Sequence, residues 1–211
     1  MRYLILLLLS LSMDALTKGT QIYERSISAV VKIKSAEKTG AGVLVSKEGH
    51  LLTNYHVIKD AEKIEIFRRI SSDLDLVLEP FEILKMDKEK DLALLKLINS
   101  DTIYNFLNLS IVIPSIGSKT HAIGHPHGES WTYSLGYIAQ KYENYIWRYK
   151  DGTRMIGNIY QIQNPIKKGN SGGPLLNEYG NLIGINTFIS KGDEQMGYAI
   201  SVKDIIEFLA K

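Results

Sequence analysis

The sequence predicts an all-β protein made of two antiparallel barrels or sandwiches with a short helix at the C-terminus. Three observations carry that expectation. About a dozen short runs of strand-forming residues follow one another from Ile27 onward, each closed by Gly, Asn or Asp. Asp151-Gly152 is a hairpin turn signal, because glycine tolerates the positive φ that such turns require. Helical spacing is convincing only at the end, where Val202, Ile205, Ile206 and Leu209 fall at i, i+3, i+4 and i+7.

The elements follow in order. Strands are expected over 27–34, 41–46, 51–54, 63–67, 77–84, 92–98 and 120–124, and then over 134–141, 145–149, 156–163, 174–176, 182–188 and 197–200. The break between the two units falls in the segment 110–118, giving an N-terminal unit over 20–112 and a C-terminal unit over 113–211. In the final helix, Ser201 and Asp204 have the spacing of a capping box. No internal repeat, low-complexity tract or long linker interrupts the chain.

Met1-Arg2, an apolar run from Tyr3 to Leu9 and the small residues Ser10, Ser12 and Ala15 make residues 1–15 a secretory signal, with cleavage expected after Ser12 or Ala15. The run is shorter than the roughly 20 apolar residues that a membrane span needs. The mature protein is therefore expected to be exported, periplasmic or secreted, with no stable membrane insertion.

Composition narrows the function. The 211 residues are 45% hydrophobic and 23% charged, which excludes a disordered or fibrous chain. Twenty-five basic against 23 acidic residues leave a formal charge of +2, too little to call for a polyanionic partner. The absence of cysteine excludes disulfides, thiolate metal sites and a cysteine nucleophile.

The chemistry concentrates in Gly169-Asn170-Ser171-Gly172-Gly173-Pro174, set between two strand signals. A serine needs a base to take its proton and donors to hold the developing oxyanion. His56 stands at the end of an apolar strand, where it is presented at a rim. The third group is a carboxylate that fixes the histidine tautomer. Asp91 opens the apolar run Leu92–Leu97 and can be drawn under the histidine; Asp87 and Asp101 are the competing acids.

Together these segments resemble the chymotrypsin-fold serine proteases, and most closely their bacterial HtrA or Deg-type branch. The resemblance runs through Gly40–Ser46, Leu52–Val57, Asp91–Lys96, Ala122–Pro126, Gly169–Pro174, Leu182–Thr187 and Gly197–Ile200, about residues 25–205. It implies two six-stranded barrels with a cleft between them. It also implies Ser171 as nucleophile, His56 as general base and then acid, Asp91 as orienting carboxylate, and an oxyanion hole from the Gly169 and Ser171 N–H groups on a loop shaped by Asn170. No cofactor is implied, and polypeptides are the expected substrates.

The same resemblance assigns the primary specificity pocket to Pro165, Ile166 and Lys168 on one wall and to Ile185, Asn186 and Thr187 on the other. Neither wall carries the Asp of trypsin-type pockets or the His of glutamyl endopeptidases, so small or medium aliphatic residues are expected before the scissile bond. The chain departs from the family at Tyr55, where a small residue is usual, and at Gln163, where an Asp is often found. It ends 211 − 171 = 40 residues after the serine, so the PDZ module of many relatives is not expected within it.

Two other patterns read as a solvated loop and an ordinary hairpin. His121, His125 and His127 suggest a zinc site, but no carboxylate or cysteine completes the set, and no metal is expected. Basic and aromatic residues alternate from Lys141 to Arg154 as on nucleic-acid surfaces. The period of two and the Asp-Gly turn instead mark a hairpin, and no nucleic-acid partner is expected. The runner-up function is a weakly active or inactive protease-like chaperone of the cell envelope. Oligomeric state is not legible.

Overall fold

A computed structural model describes residues 17–35, 38–59, 63–70, 76–99, 102–149, 151–190 and 193–211. The expected signal segment 1–15 lies outside the described residues. No helix among the described residues is long and apolar enough to cross a membrane.

The chain opens with helix α1 (Lys18–Ser26), which the sequence reading missed. Thr17 caps it by accepting from Thr20 N at 3.3 Å, but Ile22 is its one buried apolar residue, so no apolar stripe announces it. Strands β1 (Val30–Ser35), β2 (Lys38–Leu44) and β3 (His50–Thr53) follow, then a single helical turn, α2 (Tyr55–Ile58). Next come β4 (Ile64–Arg69), β5 (Leu76–Glu79), β6 (Phe81–Asp87) and β7 (Leu92–Leu97). These strands form one sheet in the order β5-β4-β1-β2-β3-β7-β6, all antiparallel.

The expected strand over 77–84 is split at Pro80, whose missing N–H interrupts a ladder. Its halves, β5 and β6, therefore occupy opposite edges of a seven-stranded sheet. Because only Pro80 separates them, the sheet must curl until its edges approach each other.

The second unit contains β8 (Lys119–Gly124), β9 (Thr132–Arg148), β10 (Arg154–Ile162), β11 (Pro174–Leu176), β12 (Leu182–Ser190) and β13 (Asp193–Ser201). They close into a six-stranded barrel, β10-β13-β12-β11-β8-β9. The expected strands 134–141 and 145–149 are one long strand, bulged where Asn144 takes a φ of 50°. The fold class is the expected one, mostly β with two curled sheets and a short C-terminal helix, but the first sheet has seven strands rather than six because Pro80 divides one of them.

Helix α3 (Val202–Ala210) buries Val202, Ile205 and Phe208, while Ile206 of the expected stripe faces solvent. Ser201 caps it through Lys203 N at 3.1 Å. The capping box does not close, because Asp204 turns inward and accepts from Asn158 N at 2.7 Å and Asn158 Nδ2 at 2.6 Å.

The loop between β8 and β9 locks the two units together. His125 Nε2 donates to Val31 O at 3.1 Å, Trp131 Nε1 donates to Val30 O at 2.9 Å, and Lys32 Nζ donates to Gly128 O at 3.0 Å. His125 is fully buried, and this desolvation lowers its imidazole to about 4. It is neutral: its Nδ1 accepts from Trp131 N at 3.0 Å while its Nε2 donates. His121 pairs through Nδ1 with the Tyr133 hydroxyl at 2.7 Å. Both histidines thus hold strands and loop together.

Candidate active site

Asp91 is the most heavily constrained residue of the junction. It sits just before β7 with a φ of 56°, a left-handed conformation that Asp tolerates better than most side chains. Its carbonyl accepts from Asn54 Nδ2 at 3.0 Å and from Tyr55 N at 3.2 Å. Its carboxylate, fully buried, accepts from His56 N at 3.0 Å through Oδ1. The Asn54-Tyr55-His56 segment therefore grips Asp91 by both main chain and side chain. Asn54 was not singled out from sequence, and its place two residues before the histidine was the available signal.

His56 lies in α2, and its Nδ1 is 2.9 Å from Asp91 Oδ2 and 3.1 Å from Oδ1. That leaves Nε2 as the free ring nitrogen. Thr187 Oγ1 donates to Asp91 Oδ2 at 2.8 Å, and the Tyr149 hydroxyl donates to the same oxygen at 2.9 Å. Of the two competing acids, Asp87 spends Oδ1 on Lys90 N at 2.9 Å, closing a tight turn, and Asp101 lies outside the described residues. Tyr55, the departure noted above, is half-buried at the start of α2.

Ser171 and His56 line one cavity of about 550 Å³ at the junction, with Lys38, His127 and Lys168 also on its walls. The serine hydroxyl donates to Thr187 O at 2.8 Å, so it must rotate to reach a base. A larger cavity of about 640 Å³ between α1 and the second barrel lies away from Ser171, His56 and Asp91. Size alone does not locate this site.

The serine loop is held by its glycines. Gly169 has a φ of 105°, and a Cβ there would collide with the His125 carbonyl. Gly172, at 86°, is pressed against Ala41 O and Thr53 Oγ1. Asn170 N donates to Lys167 O at 3.0 Å, Gly172 N to Asn186 O at 2.9 Å and Gly173 N to Asn170 O at 3.0 Å. The Gly169 and Ser171 N–H groups are not spent in these bonds. Ala41 N donates to Ser171 O at 2.8 Å, fastening the loop to β2 of the other sheet.

The side chains of the six residues expected around the primary pocket do not line one cavity. Ile185 is fully buried in the core shared by the two units, and Ile166 packs into the core of the second barrel. Asn186 turns inward and donates Nδ2 to Pro174 O at 3.1 Å. Thr187 is spent on Asp91. Pro165 lines a separate cavity of about 270 Å³, and only Lys168 joins Ser171. Ile185, Asn186 and Thr187 lie on β12, whereas Pro165, Ile166 and Lys168 lie in the loop between β10 and β11.

Two curled antiparallel sheets with serine, histidine and aspartate at their junction are the architecture of a two-barrel serine protease. A family model described as the trypsin-like peptidase domain matches residues 40–185, and the chain belongs to that family; the relatives it resembles include HtrA/DegP proteases. It is 34% identical over 174 residues to Protease Do-like 1, chloroplastic, of Arabidopsis thaliana, covering 79% of this chain and 37% of that protein. It is 34% identical over 156 residues to the magnetosome formation protease MamE of Paramagnetospirillum magneticum, covering 74% and 21%. The chain thus spans well under two thirds of these relatives. Among solved structures, the serine endoprotease from Yersinia pestis superposes with a TM-score of 0.76 at 28% identity, covering 93% of this chain and 67% of that one. The active form of the Rv3671c protease from M. tuberculosis gives 0.79 at 21% identity, over 94% and 86%, a likeness of fold.

Proposed function

We propose that this chain is a serine endopeptidase that cleaves polypeptides through an acyl-enzyme. Ser171 attacks the scissile carbonyl, His56 Nε2 takes the serine proton and returns it to the leaving amine, and Asp91 holds Nδ1 and stabilises the imidazolium. The Gly169 and Ser171 N–H groups receive the oxyanion, where one donor is worth about 3–4 kcal/mol of transition-state stabilisation. The observation that carries the reading is the grip of His56 on Asp91 by both N and Nδ1. A protein that only bound peptides would have no chemical use for a histidine oriented by a buried carboxylate beside a serine.

Exported or unfolded proteins are the proposed substrates, in keeping with periplasmic DegP-like relatives such as that of Hahella chejuensis. The main chain of residues 165–168 and 185–187 is proposed to wall the primary pocket, and with no acid among them to pair with a cation, small or medium aliphatic residues are proposed before the scissile bond. One methylene is worth only about 1–3 kcal/mol there, so selectivity is loose. The test is labelling by a fluorophosphonate probe. The intact chain reacts once, at Ser171, and Ser171→Ala abolishes both labelling and peptide hydrolysis. A folded wild type that neither labels nor hydrolyses favours the binding-protein alternative.

A further inference from the structure

Tyr149 of the second barrel rests on the His56–Asp91 pair of the first. It follows the last residue of β9, and the Asp151-Gly152 turn carries it over the junction. Its hydroxyl donates to Asp91 Oδ2 at 2.9 Å and also lies against His56 Nδ1. Its ring covers the imidazole, with centroids 4.7 Å apart. The hairpin is fastened on both sides of this contact. Lys59, the residue after α2, pairs with Asp151, and Ile156 N donates to Glu89 O at 2.9 Å, two residues before Asp91. A phenylalanine would fill the same space, so packing leaves the phenolic O–H unexplained.

We propose that Tyr149 is a positioning residue for the reaction, sharing the charge of the Asp91 carboxylate through its O–H and shielding the His56–Asp91 pair from water with its ring. The proposal rests on the reading of His56 as base and Asp91 as its orienting acid. Oδ2 receives three donors, from Tyr149, Thr187 and His56 Nδ1. Each draws charge from the carboxylate, so the phenol moderates the pull of Asp91 on the imidazole proton. Burial and the adjacent Asp91 charge push the Tyr149 phenol above its ordinary value, which keeps it a donor at any working pH. The other groups around the pair are Lys59 after α2, Asp151 at the hairpin tip, and Lys38, His127 and Lys168 around the cavity. Substitution of Tyr149 by phenylalanine leaves all of them in place.

The experiment uses the intact chain with Tyr149→Phe, Tyr149→Ala and a fluorotyrosine at 149, which is a stronger donor of similar shape. Two quantities are read: the acid limb of the kcat/KM profile, and the pH midpoint of the His56 ring-proton signal assigned by its loss in His56→Ala. In Tyr149→Phe more charge remains on Oδ2, so both move upward, by about 0.5–1 pH unit. In the fluorotyrosine protein both move downward. The plateau of kcat/KM stays within about tenfold in Tyr149→Phe and falls further in Tyr149→Ala, which uncovers the pair. Midpoints that coincide with wild type within about 0.2 unit, or that move oppositely, overturn the proposal. If the wild type does not hydrolyse peptide, the catalytic reading fails by itself, and the ring-proton midpoints still decide the role of Tyr149.

Discussion

Thr187 donates its hydroxyl to Asp91 Oδ2 at 2.8 Å across a sequence separation of 96 residues. This bond joins β12 of the closed barrel to the start of β7 in the other sheet, inside the charged centre of the site. The same residue accepts the Ser171 hydroxyl through its carbonyl at 2.8 Å, so one position touches both the serine and the acid. Thr187→Val keeps the shape and removes the donor. A hydrogen bond to a buried charge is worth about 1.5–3 kcal/mol, so kcat/KM falls by roughly tenfold or more. Thr187→Ser restores it. Steady-state kinetics on a reporter peptide checks this, and a Val variant as active as wild type removes Thr187 from the machinery.

Asp91→Asn isolates the charge of the carboxylate. Asn tolerates the left-handed backbone at this position, so the fold is retained, and the loss is chemical. The imidazole then adopts the wrong tautomer and kcat drops by about 10⁴. Asp87→Asn, which loses only a turn contact, leaves kcat close to wild type. The reverse result shows that the acid is misassigned.

Gly169→Ala places a methyl group against the His125 carbonyl at a φ of 105°. The loop must move, and the N–H group proposed to hold the oxyanion moves with it. Labelling by the fluorophosphonate probe slows by about 10²–10³, while the β-sheet circular dichroism is unchanged. Unaltered labelling shows that Gly169 N is not an oxyanion donor.

Acid stability tests the buried His125. Its folded value of about 4 lies below the ordinary histidine value, so the unfolded chain binds the extra proton. Stability from this group is complete above the unfolded value, is lost as pH falls from about 6.5 to 4, and is flat below that. The loss between pH 7 and 4.5 is about 2 kcal/mol. Urea titrations at the two pH values show it in wild type. His125→Asn, which cannot titrate, shows a drop smaller by that amount, and equal drops refute the assignment.

Much of the fold was legible because strands and turns write short-range patterns. Period-two runs, the Asp151-Gly152 turn and the Val202–Leu209 spacing are local signals, and they gave two β units and the final helix. The misses occurred where local signals were weak or were overruled. Helix α1 has one buried apolar anchor, Pro80 divides what reads as one strand, and Asp204 abandons the helix cap for Asn158 on β10.

For the site, the residue types nominated a serine, a histidine and three candidate acids, and it was the resemblance to the two-barrel proteases that gave Ser171, His56 and Asp91 their expected roles. Which partners surround Asp91 was decided only in three dimensions. Thr187 and Tyr149 lie 96 and 58 residues away along the chain, and nothing in their own neighbourhoods marks them as donors to an acid. Strand alternation sets which face each residue presents, but the closure of the barrel decides whether that face meets core, cavity or carboxylate. That is why the side chains of Ile185 and Asn186 lie in the interior, while Tyr149, read as part of an ordinary hairpin, covers His56.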